Sequence, residues 1–174
     1  MAASRVPLSR GAAERIASLG LRPHPEGGFY REIHRSSRAV TDDARGVVRS
    51  AVTQIWFLLA ASEVSRWHRA AGDELWQFVA GEPLVLYHLD ERAGVVVERR
   101  LGPLPAAGEP SPELAPLACV PGGEWQAARA LGAYALVTCV VAPGFEFDDF
   151  AFAVEHPESA ARLVALRPDL AELL

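Results

Sequence analysis

Lysine and asparagine are both absent from this 174-residue sequence, so that all 17 basic residues are arginine. Schiff-base catalysis and a Walker-type phosphate-binding loop both need a lysine amine, and the absence of lysine excludes them. Without asparagine the chain has neither Asn-Gly hairpin turns nor sites for N-glycosylation. A GC-rich genome would account for both gaps, because the codons of these two residues are AT-rich.

The sequence also has little that would direct it to a membrane or to nucleic acid. No apolar run reaches the roughly 20 residues of a membrane-spanning helix, and the N-terminus lacks the continuous hydrophobic stretch of a signal peptide. The formal net charge of -5 argues against general binding to nucleic acid, which needs a basic surface. We therefore expect a cytoplasmic protein with neither a membrane nor nucleic acid as its partner.

Cysteine is scarce, with Cys119 and Cys139 as the two examples. Both lie in apolar surroundings typical of strands, "LACVPGG" and "LVTCVV". We interpret them as buried free thiols rather than as a disulfide or a nucleophile.

The length of the chain and its 50% content of hydrophobic residues predict a single domain, which we assign to residues 11–174. Residues 1–10 are interpreted as a flexible N-terminal tail. The segment "GAAERIASLGL" has apolar residues at helical spacing and Gly20 as a stop signal, which predicts a short helix. Leucines at positions 163, 166, 170 and 173 indicate a second helical region at the C-terminus.

Between these helical ends the sequence reads as a series of short strands. The segments are rich in Val, Leu, Phe and Trp and are separated by Gly, Pro and Asp. "LDERAG" is a good hairpin connection between two of them, whereas residues 102–116 are rich in Pro and Gly and predict a surface loop or lid. Because strands and helices do not alternate, the pattern favours an antiparallel all-β sandwich or barrel.

The most informative polar residues lie in "WHRAAGDELWQFVAG". Strand alternation places His68 on one face of its strand and places Glu74, Trp76 and Phe78 on one face of the next. A Gly-Asp turn between the two strands would bring His68 and Glu74 close together. A distant segment, "VPGGEWQAA", supplies Gln126 after a tight turn.

The first of these segments resembles the first motif of the cupin superfamily. That motif has two histidines two positions apart, a glutamate three or four residues later and then a glycine. His68, Glu74 and Gly81 fall on this spacing, but Ala70 stands in place of the second histidine.

The second segment resembles the second cupin motif, in which proline and glycine precede a histidine. Pro121 and Gly123 match, and Gln126 stands in place of the histidine. Taken in order, "LRPHPEGGFYRE", "SRWHRAAGDELWQF", "GEPLVLYHL", "VPGGEWQAAR" and "VAPGFEFDDF" are similar to the uncharacterised Cupin_5 (DUF985) family. This resemblance extends over nearly the whole chain.

The resemblance implies a fold and a kind of binding site. We expect an all-β cupin double-stranded β-helix, or jelly-roll barrel, with short N- and C-terminal helices. A ligand pocket inside the barrel is implied too, and we expect it to bind a small polar organic ligand. The family resemblance also implies frequent dimers, and an apolar set of strands without lysine gatekeepers favours a covered sheet edge. We therefore expect a homodimer.

The same resemblance raises the question of a metal cofactor. A standard cupin metal site uses three imidazoles and a carboxylate, which suit iron, manganese or zinc. The loss of two imidazoles should lower metal affinity by several orders of magnitude. We expect that no cofactor is required, or that a divalent metal of unknown identity binds weakly to His68, Glu74 and Gln126.

Without a metal, His68 and Glu74 would suit proton transfer, because histidine titrates near neutrality and a carboxylate can fix its tautomer. The stretch "EGGFYRE" is similar to the opening strand of the nucleotide-sugar keto-epimerases (RmlC-like cupins), which use a histidine base and a tyrosine acid. This second resemblance makes Tyr30 and Tyr134 the candidate acids, and the sequence does not choose between them.

Further residues are candidates for ligand binding. Glu26 is placed at the barrel mouth, although its Gly-Gly turn could equally serve only to feed an edge strand. Trp76, Phe78 and Gln126 are placed along the pocket, since sugars stack on aromatic rings, with core packing as the alternative for the rings. The remaining histidines lack a partner at a useful spacing and are predicted to lie at the surface or in loops: His24, His34, His88 and His156.

These observations lead to three functional hypotheses. The first is an isomerase or epimerase that acts on a carbohydrate-like substrate, with His68 as a proton shuttle oriented by Glu74. The second is a non-catalytic ligand-binding cupin with a degenerate metal site, which Ala70 and Gln126 favour. The third is a metal-dependent oxygenase, which fits poorly because too few imidazoles remain.

Overall fold

The structure is a computed structural model that describes residues 7–61, 63–106 and 114–174. It has two short α-helices, α1 (Arg10–Leu19) and α2 (Pro157–Leu166), one near each end of the chain. Short 3₁₀ helices span Phe147–Asp149, Ala153–Glu155 and Pro168–Leu173. None of the described helices is long and apolar enough to cross a membrane.

The rest of the described chain is dominated by fourteen short strands, which confirms the predicted all-β class with helices at the ends. The strands are β1 (Arg22–Pro23), β2 (Phe29–Arg35), β3 (Ala39–Asp42), β4 (Val47–Ser50), β5 (Thr53–Ala60), β6 (Val64–Arg69), β7 (Asp73–Gly81), β8 (Leu84–Asp90), β9 (Val95–Leu101), β10 (Leu114–Ala115), β11 (Leu117–Val120), β12 (Gln126–Ala130), β13 (Tyr134–Ala142) and β14 (Ala151–Phe152).

Twelve of the strands form two six-stranded sheets. The first sheet has the order β1-β2-β5-β13-β7-β11, the second has the order β10-β9-β8-β12-β6-β14, and β3 and β4 form a separate hairpin. Side chains from both sheets meet in one core, where Phe57 and Trp76 of the first sheet join Leu84 and Leu86 of the second. The molecule is therefore two sheets wrapped around a shared interior.

The second sheet is covered on its outer side by the C-terminal helices. Leu163, Leu170 and Leu173 pack with Tyr87 and Leu89 of β8 in a second buried cluster. Because alternate residues of β8 face the interior and the C-terminal helices, the strand is buried on both faces and has no exposed polar side. The predicted C-terminal helical region is thus confirmed, and it forms part of the core.

Helix α1 covers part of the outer side of the first sheet. Ser9 caps it by accepting a hydrogen bond from the backbone N–H of Ala12 at 3.2 Å, and Gly20 ends it in a left-handed conformation at φ 62°. The predicted helix and its glycine stop signal are confirmed. The tail predicted for residues 1–10 lies mostly in residues 1–6, outside the described residues.

The sequence predicts a hairpin and a long loop as connections between strands. The hairpin predicted at "LDERAG" is confirmed, since β8 and β9 pair antiparallel across it. The loop predicted over residues 102–116 is without regular structure at 102–106 and reaches β10 at its end, whereas residues 107–113 lie outside the described residues.

The Gly-Asp turn after His68 does not form a hairpin. Strand β6 pairs with β12 and β14 in the second sheet, whereas β7 pairs with β13 and β11 in the first. A Cβ on Gly72 would lie 2.5 Å from the carbonyl oxygen of Pro143, so the chain passes too close to another backbone for any side chain. The turn therefore carries the chain from one sheet to the other.

Candidate functional site

A cavity of about 290 Å³ opens between the two sheets. Its polar lining includes His24, Glu26, Tyr30, His68 and Glu74. Its apolar lining consists mainly of six side chains: Ile55, Phe57, Val141, Phe145, Phe147 and Phe150. A mostly apolar cavity with a few convergent polar groups is typical of a site for a small organic molecule.

Three buried ionisable side chains reach this cavity from three different parts of the fold. His68 comes from β6 in one sheet, Glu74 comes from β7 in the opposite sheet, and Glu26 comes from the turn between β1 and β2. Their exposed fractions are 2% for His68, 8% for Glu74 and 6% for Glu26. The crossover at Gly72 is what brings the first two residues to facing walls.

The position of Glu26 depends on the glycine that follows it. Gly27 has φ 112°, and a Cβ there would lie 2.0 Å from the carbonyl oxygen of Val64. The turn can therefore approach β6 closely because it has no side chain at this position. The backbone N–H of Arg66 also donates a hydrogen bond of 2.9 Å to the carbonyl of Glu26.

The geometry of His68 fixes which of its ring nitrogens faces the other ionisable groups. Nδ1 lies 2.8 Å from the carbonyl oxygen of Arg66, and because a carbonyl can only accept, Nδ1 carries the proton. Nε2 lies 3.4 Å from Oε2 of Glu26. The imidazole ring of His68 is also stacked on the ring of Phe150, with the two ring centroids 5.2 Å apart.

The carboxylate that pairs with His68 is therefore Glu26, and the sequence-based prediction of a contact between His68 and Glu74 is wrong. Glu74 faces the same cavity but hydrogen-bonds elsewhere. The prediction assumed that a short turn makes two strands neighbours. A partner that comes from a separate turn, about forty residues earlier in the chain, cannot be read from that local spacing.

Glu26 is held by three polar neighbours. Ser65 donates a hydrogen bond of 2.8 Å to Oε1, and Nδ1 of His24 lies 3.3 Å from Oε2. Burial by itself raises the pKa of Glu26, but the nearby imidazoles of His68 and His24 and the Ser65 hydrogen bond outweigh it, so the pKa of Glu26 is lowered. A buried, ionised carboxylate beside an imidazole is the result.

Glu74 has the opposite electrostatics. Burial is the largest cause that raises the pKa of Glu74, and the neighbouring charge of Glu26 adds to it, although His68 and Gln126 act in the other direction. Nε2 of Gln126 donates a hydrogen bond of 2.6 Å to Oε2 of Glu74. The two buried carboxyl groups of the cavity, Glu26 and Glu74, therefore have pKa values shifted in opposite directions.

Gln126 and Trp76 form the support behind Glu74 rather than the wall of the cavity. The indole N–H of Trp76 donates to Oε1 of Gln126 at 3.1 Å, and the exposed fractions are 0% and 1%. Phe78 packs against the hydrophobic core. The lining of the cavity includes none of these three side chains, so their predicted place along the pocket needs correction. The alternation predicted along β7 is confirmed for Trp76 and Phe78, which both point inward. The interior around these two rings is filled with other side chains.

The two tyrosine candidates are separated by the structure. Tyr30 lines the cavity, and its hydroxyl accepts a hydrogen bond of 2.9 Å from Arg22. Tyr134 instead lies under helix α1, where its ring is the nearest group to a Cβ placed on Gly11 and packs in the outer cluster with Ala12. Tyr134 therefore belongs to the outer cluster and does not reach the cavity, because its position on β13 faces outward.

Both cysteines are free, as predicted, but they differ in burial. Cys139 is buried and lines the cavity, and burial raises the pKa of its thiol well above the usual value. Cys119 is exposed, so the prediction of two buried thiols is wrong for this residue. Strand β11 lies at the edge of its sheet, and Cys119 points away from the interior.

Several residues of the site were missed by sequence reasoning. His24 was predicted at the surface, yet its side chain is 6% exposed and lies beside Glu26. His88, which lies outside the cavity beside Glu124, was also predicted at the surface and is 5% exposed. For His24 the signal was the spacing "HPE", which puts it two residues before Glu26. Arg22 and Phe150 had no distinctive local pattern.

One wall of the cavity is a segment that we call the phenylalanine strap, residues 145–150. It supplies Phe145, Phe147 and Phe150 to the lining. Ion pairs hold this strap to β2 and to the β3–β4 hairpin. Glu146 binds Arg35 at the end of β2 at 2.6 Å. Asp149 binds Arg49 of the hairpin at 2.7 Å and also contacts Arg45. The hydrogen bond from Arg49 is the main reason why the pKa of Asp149 is lowered.

With this geometry established, comparison with known proteins identifies the family. The family model Cupin_5, described as cupin superfamily (DUF985), matches residues 13–153. This chain belongs to the Cupin_5 family. The cupin jelly-roll fold expected from the two sequence motifs is therefore confirmed.

Two solved structures of similar proteins cover almost the whole Cupin_5 chain. A hypothetical protein from Leishmania major has 33% sequence identity and a TM-score of 0.74, covering 93% of this chain and 95% of that one. An X-ray structure of a protein from Shewanella oneidensis has 36% identity and a TM-score of 0.72, covering 93% of both chains.

A more distant similarity is to oxalate decarboxylase from Bacillus subtilis, with 17% identity and a TM-score of 0.54. This chain covers 36% of the length of that protein, and the likeness concerns the fold alone. No curated protein matches this Cupin_5 chain. The residues of the cavity are therefore the features that indicate a function.

The donor set of the cavity does not fit the metal centre that the cupin superfamily implies. Ala70, which lines the cavity, and Gln126 stand where the motifs have imidazoles. Both ends of the Gln126 amide are already used, by Glu74 and by Trp76. Across residues 7–61, 63–106 and 114–174, no group of three or more His, Cys, Asp or Glu side chains could hold a metal ion. The predicted weak metal site on His68, Glu74 and Gln126 has no support in this arrangement.

Proposed function

We propose that this Cupin_5 protein is a small-molecule-binding cupin that catalyses proton transfer on a carbohydrate-like substrate, as an isomerase or epimerase. The observation that carries the proposal is the convergence of His68, Glu26 and Glu74 in one cavity. Perturbed, buried ionisable groups that share a cavity are typical of acid–base sites.

His68 is the base in this proposal. Its Nδ1 proton is committed to the carbonyl of Arg66, which leaves the lone pair of Nε2 for proton transfer. Glu26 lies 3.4 Å from that nitrogen and would stabilise the imidazolium that forms when Nε2 takes a proton. Glu26 thus takes over the orienting role that the sequence alone assigned to Glu74.

Glu74 is the acid in this proposal. Its pKa is raised while that of Glu26 is lowered, and such a divergence between two carboxyl groups separates an acid from a base. Nε2 of His68 would remove a proton from a carbon next to a carbonyl, and the electron pair would move to the carbonyl oxygen. Glu74 would donate its proton to that oxygen. In the resulting enediol, the imidazolium of His68 would return its proton to the former carbonyl carbon while Glu74 takes the proton of the other hydroxyl, so that the isomer forms and both side chains regain their starting states. Tyr30 is the second candidate acid, because it lines the same cavity.

The lining suits a ligand that has both hydroxyl groups and a carbon skeleton. Carboxylates accept hydrogen bonds from hydroxyls, and the rings of Phe57, Phe147 and Phe150 offer surfaces for sugar carbons. This combination supports a carbohydrate-like ligand.

Hydrogen exchange with solvent tests the proposal. The protein is incubated in D2O with a panel of aldoses, ketoses and sugar acids, and NMR follows the loss of carbon-bound protons. We expect exchange of at least one panel member, and His68→Gln should slow it at least 100-fold, the lower end of the usual contribution of an acid–base residue. His34→Gln is the matched control, because His34 is an exposed histidine on β2. Equal rates for His68→Gln and the wild type would exclude His68 as the base.

A non-catalytic ligand-binding cupin is the second candidate. It is supported by Ala70 and Gln126, which are the residues expected at a disused metal site. In this case a panel member would bind and raise the Tm, while no carbon-bound proton would exchange. The exchange experiment and a thermal-shift screen over the same panel therefore separate the two candidates.

A further inference from the structure

Two arginines line the cavity, and they differ in how their hydrogen-bond donors are used. Arg35 binds Glu32 through Nε at 3.1 Å and Nη2 at 2.9 Å, and its Nη1 binds Glu146 at 2.6 Å. Its Nη2 also donates to the carbonyl of Phe145. The guanidinium of Arg35 is thus occupied by protein groups.

Arg22 has far fewer partners. Its single side-chain hydrogen bond among the described residues goes from Nη2 to the hydroxyl of Tyr30 at 2.9 Å. The guanidinium carbon lies 4.9 Å from the centre of the Tyr30 ring, which holds the side chain against the cavity wall. Within residues 7–61, 63–106 and 114–174, no carboxylate lies within ion-pair distance of Arg22.

Tyr30 and Arg22 together form a pair of donors at the cavity mouth. Because the Tyr30 oxygen accepts the bond from Arg22, its own proton is available for a further acceptor. An exposed guanidinium and a phenolic O–H side by side match an oxygen-rich anionic group. Carboxylate and phosphate share this chemistry.

We propose that the ligand is a small sugar acid or sugar phosphate whose anionic group binds Arg22 and Tyr30, while its neutral hydroxylated part reaches His68, Glu26 and Glu74. This inference rests on the proposed function, since it names the substrate class of the same cavity. The two rim carboxylates, Glu32 and Glu146, face the same entrance.

Arg35 sits between those two carboxylates and binds both. Glu32 and Glu146 are thus occupied by Arg35, and they do not compete with an anion for the guanidinium of Arg22. The deep end of the cavity, where Glu26 is already ionised, would repel a second negative charge. The anionic end of the ligand is thus directed to the mouth and the neutral end to the interior.

The size of the cavity limits the rest of the ligand. A volume of about 290 Å³ lies at the lower end of the roughly 300–1,000 Å³ found for drug-sized ligands. A monosaccharide with one charged group suits this volume better than a nucleotide sugar does.

Isothermal titration calorimetry with matched pairs tests the inference. The probes are gluconate against glucose and ribose 5-phosphate against ribose, with inorganic phosphate as the anion alone. We expect at least one charged probe to bind at least tenfold more tightly than its neutral partner. The two pairs distinguish carboxylate from phosphate. Arg22→Gln should remove the preference, and Tyr30→Phe should weaken it.

Arg31→Gln is the control, because Arg31 is an exposed arginine on the same sheet and is not part of the cavity lining. It should keep the preference for the charged probe. The inference is overturned if the neutral probes bind as tightly as the charged ones, if the preference survives Arg22→Gln, or if no charged probe binds at millimolar concentration. Tm measurements on each variant establish that it is folded.

The outcome is independent of the exchange experiment on His68. A protein that prefers the acids but exchanges no carbon-bound proton would keep this inference and lose the isomerase proposal. A protein that exchanges protons on neutral sugars without any preference for acids would do the reverse.

Discussion

Glu26 combines deep burial with an ionised carboxyl group, and the reason lies in its immediate neighbours. An unpaired carboxylate would be costly in this environment. Here His68, His24 and Ser65 together stabilise the charged form, so that the pKa falls below the ordinary value of 4.5. The neighbours, rather than the depth of burial, decide the protonation state.

Glu26→Gln should therefore lower the free energy of unfolding near neutral pH. An amide cannot reproduce the charge-assisted hydrogen bond that the carboxylate accepts from Ser65 or its electrostatic attraction to the two imidazoles, and we expect a loss of about 1.5–3 kcal/mol. Urea unfolding monitored by tryptophan fluorescence measures it. Glu155→Gln is the control, because Glu155 is exposed and should change the stability little.

The pH dependence of this difference follows from the direction of the pKa shift. A carboxyl group whose pKa is lowered on folding stabilises the protein above its unfolded pKa and loses that contribution as the pH falls through its folded pKa. The difference in unfolding free energy between wild type and Glu26→Gln should thus be largest near neutral pH. It should decrease in acid, below the ordinary pKa of 4.5. A gap that grew in acid would contradict the assignment. Because the charge of Glu26 also raises the pKa of Glu74, the comparison is made in a Glu74→Gln background.

At the scale of elements, the turn that carries Glu26 and the strand that carries His68 depend on each other. Gly27 lets the turn pack against the backbone of Val64 at the start of β6. Sequence reasoning recognised the glycine pair as a backbone requirement, but it could not identify the strand that the turn approaches. That approach depends on the order of strands in the second sheet.

Gly27→Ala should disrupt this contact. Its Cβ would lie 2.0 Å from the carbonyl oxygen of Val64, and neither backbone can move far, so we expect a loss of more than about 3 kcal/mol in unfolding free energy. Gly46→Ala provides a matched control, because Gly46 also has a positive φ, at 67°, but has no atom within 4 Å of the added Cβ. It should cost about 1–2 kcal/mol from the left-handed backbone alone. Equal losses in the two variants would show that the close approach is unimportant.

At the scale of the whole molecule, helix α1 leaves part of the outer face of the first sheet uncovered. On β7 and the edge strand β11, Leu75, Val79 and Leu117 are 44%, 43% and 58% exposed. They lie on one face together with Cys119, which pairs with Leu75. We propose that a second copy of the chain covers this face, in line with the dimer expected from the sequence.

Light scattering coupled to size-exclusion chromatography tests the dimer. The wild type should have twice the 18.7 kDa mass of one chain. Leu117→Glu should shift the mass to that of a monomer, because a charge in the centre of an apolar interface lacks a partner. Val48→Glu, at a side chain that is 61% exposed on the separate hairpin, should leave the dimer intact. A monomeric wild type would refute the proposal.

Local sequence patterns were sufficient for the fold class, the two terminal helices, the hairpin after β8 and the list of strongest site candidates. Each of these depends on residues close together in the chain: alternation along a strand, a glycine at a helix end, or a motif of a few positions. His68, Glu74, Glu26 and Tyr30 were identified in this way, and all four line one cavity.

The tertiary structure decided which of these residues act together. It paired His68 with Glu26, placed Gln126 behind Glu74, removed Tyr134 from the site and added His24 and Arg22. Side-chain partners across a barrel depend on strand order and on close backbone contacts such as those at Gly27 and Gly72. These long-range relations have no local signature, because many strand orders satisfy the same alternation of apolar and polar residues.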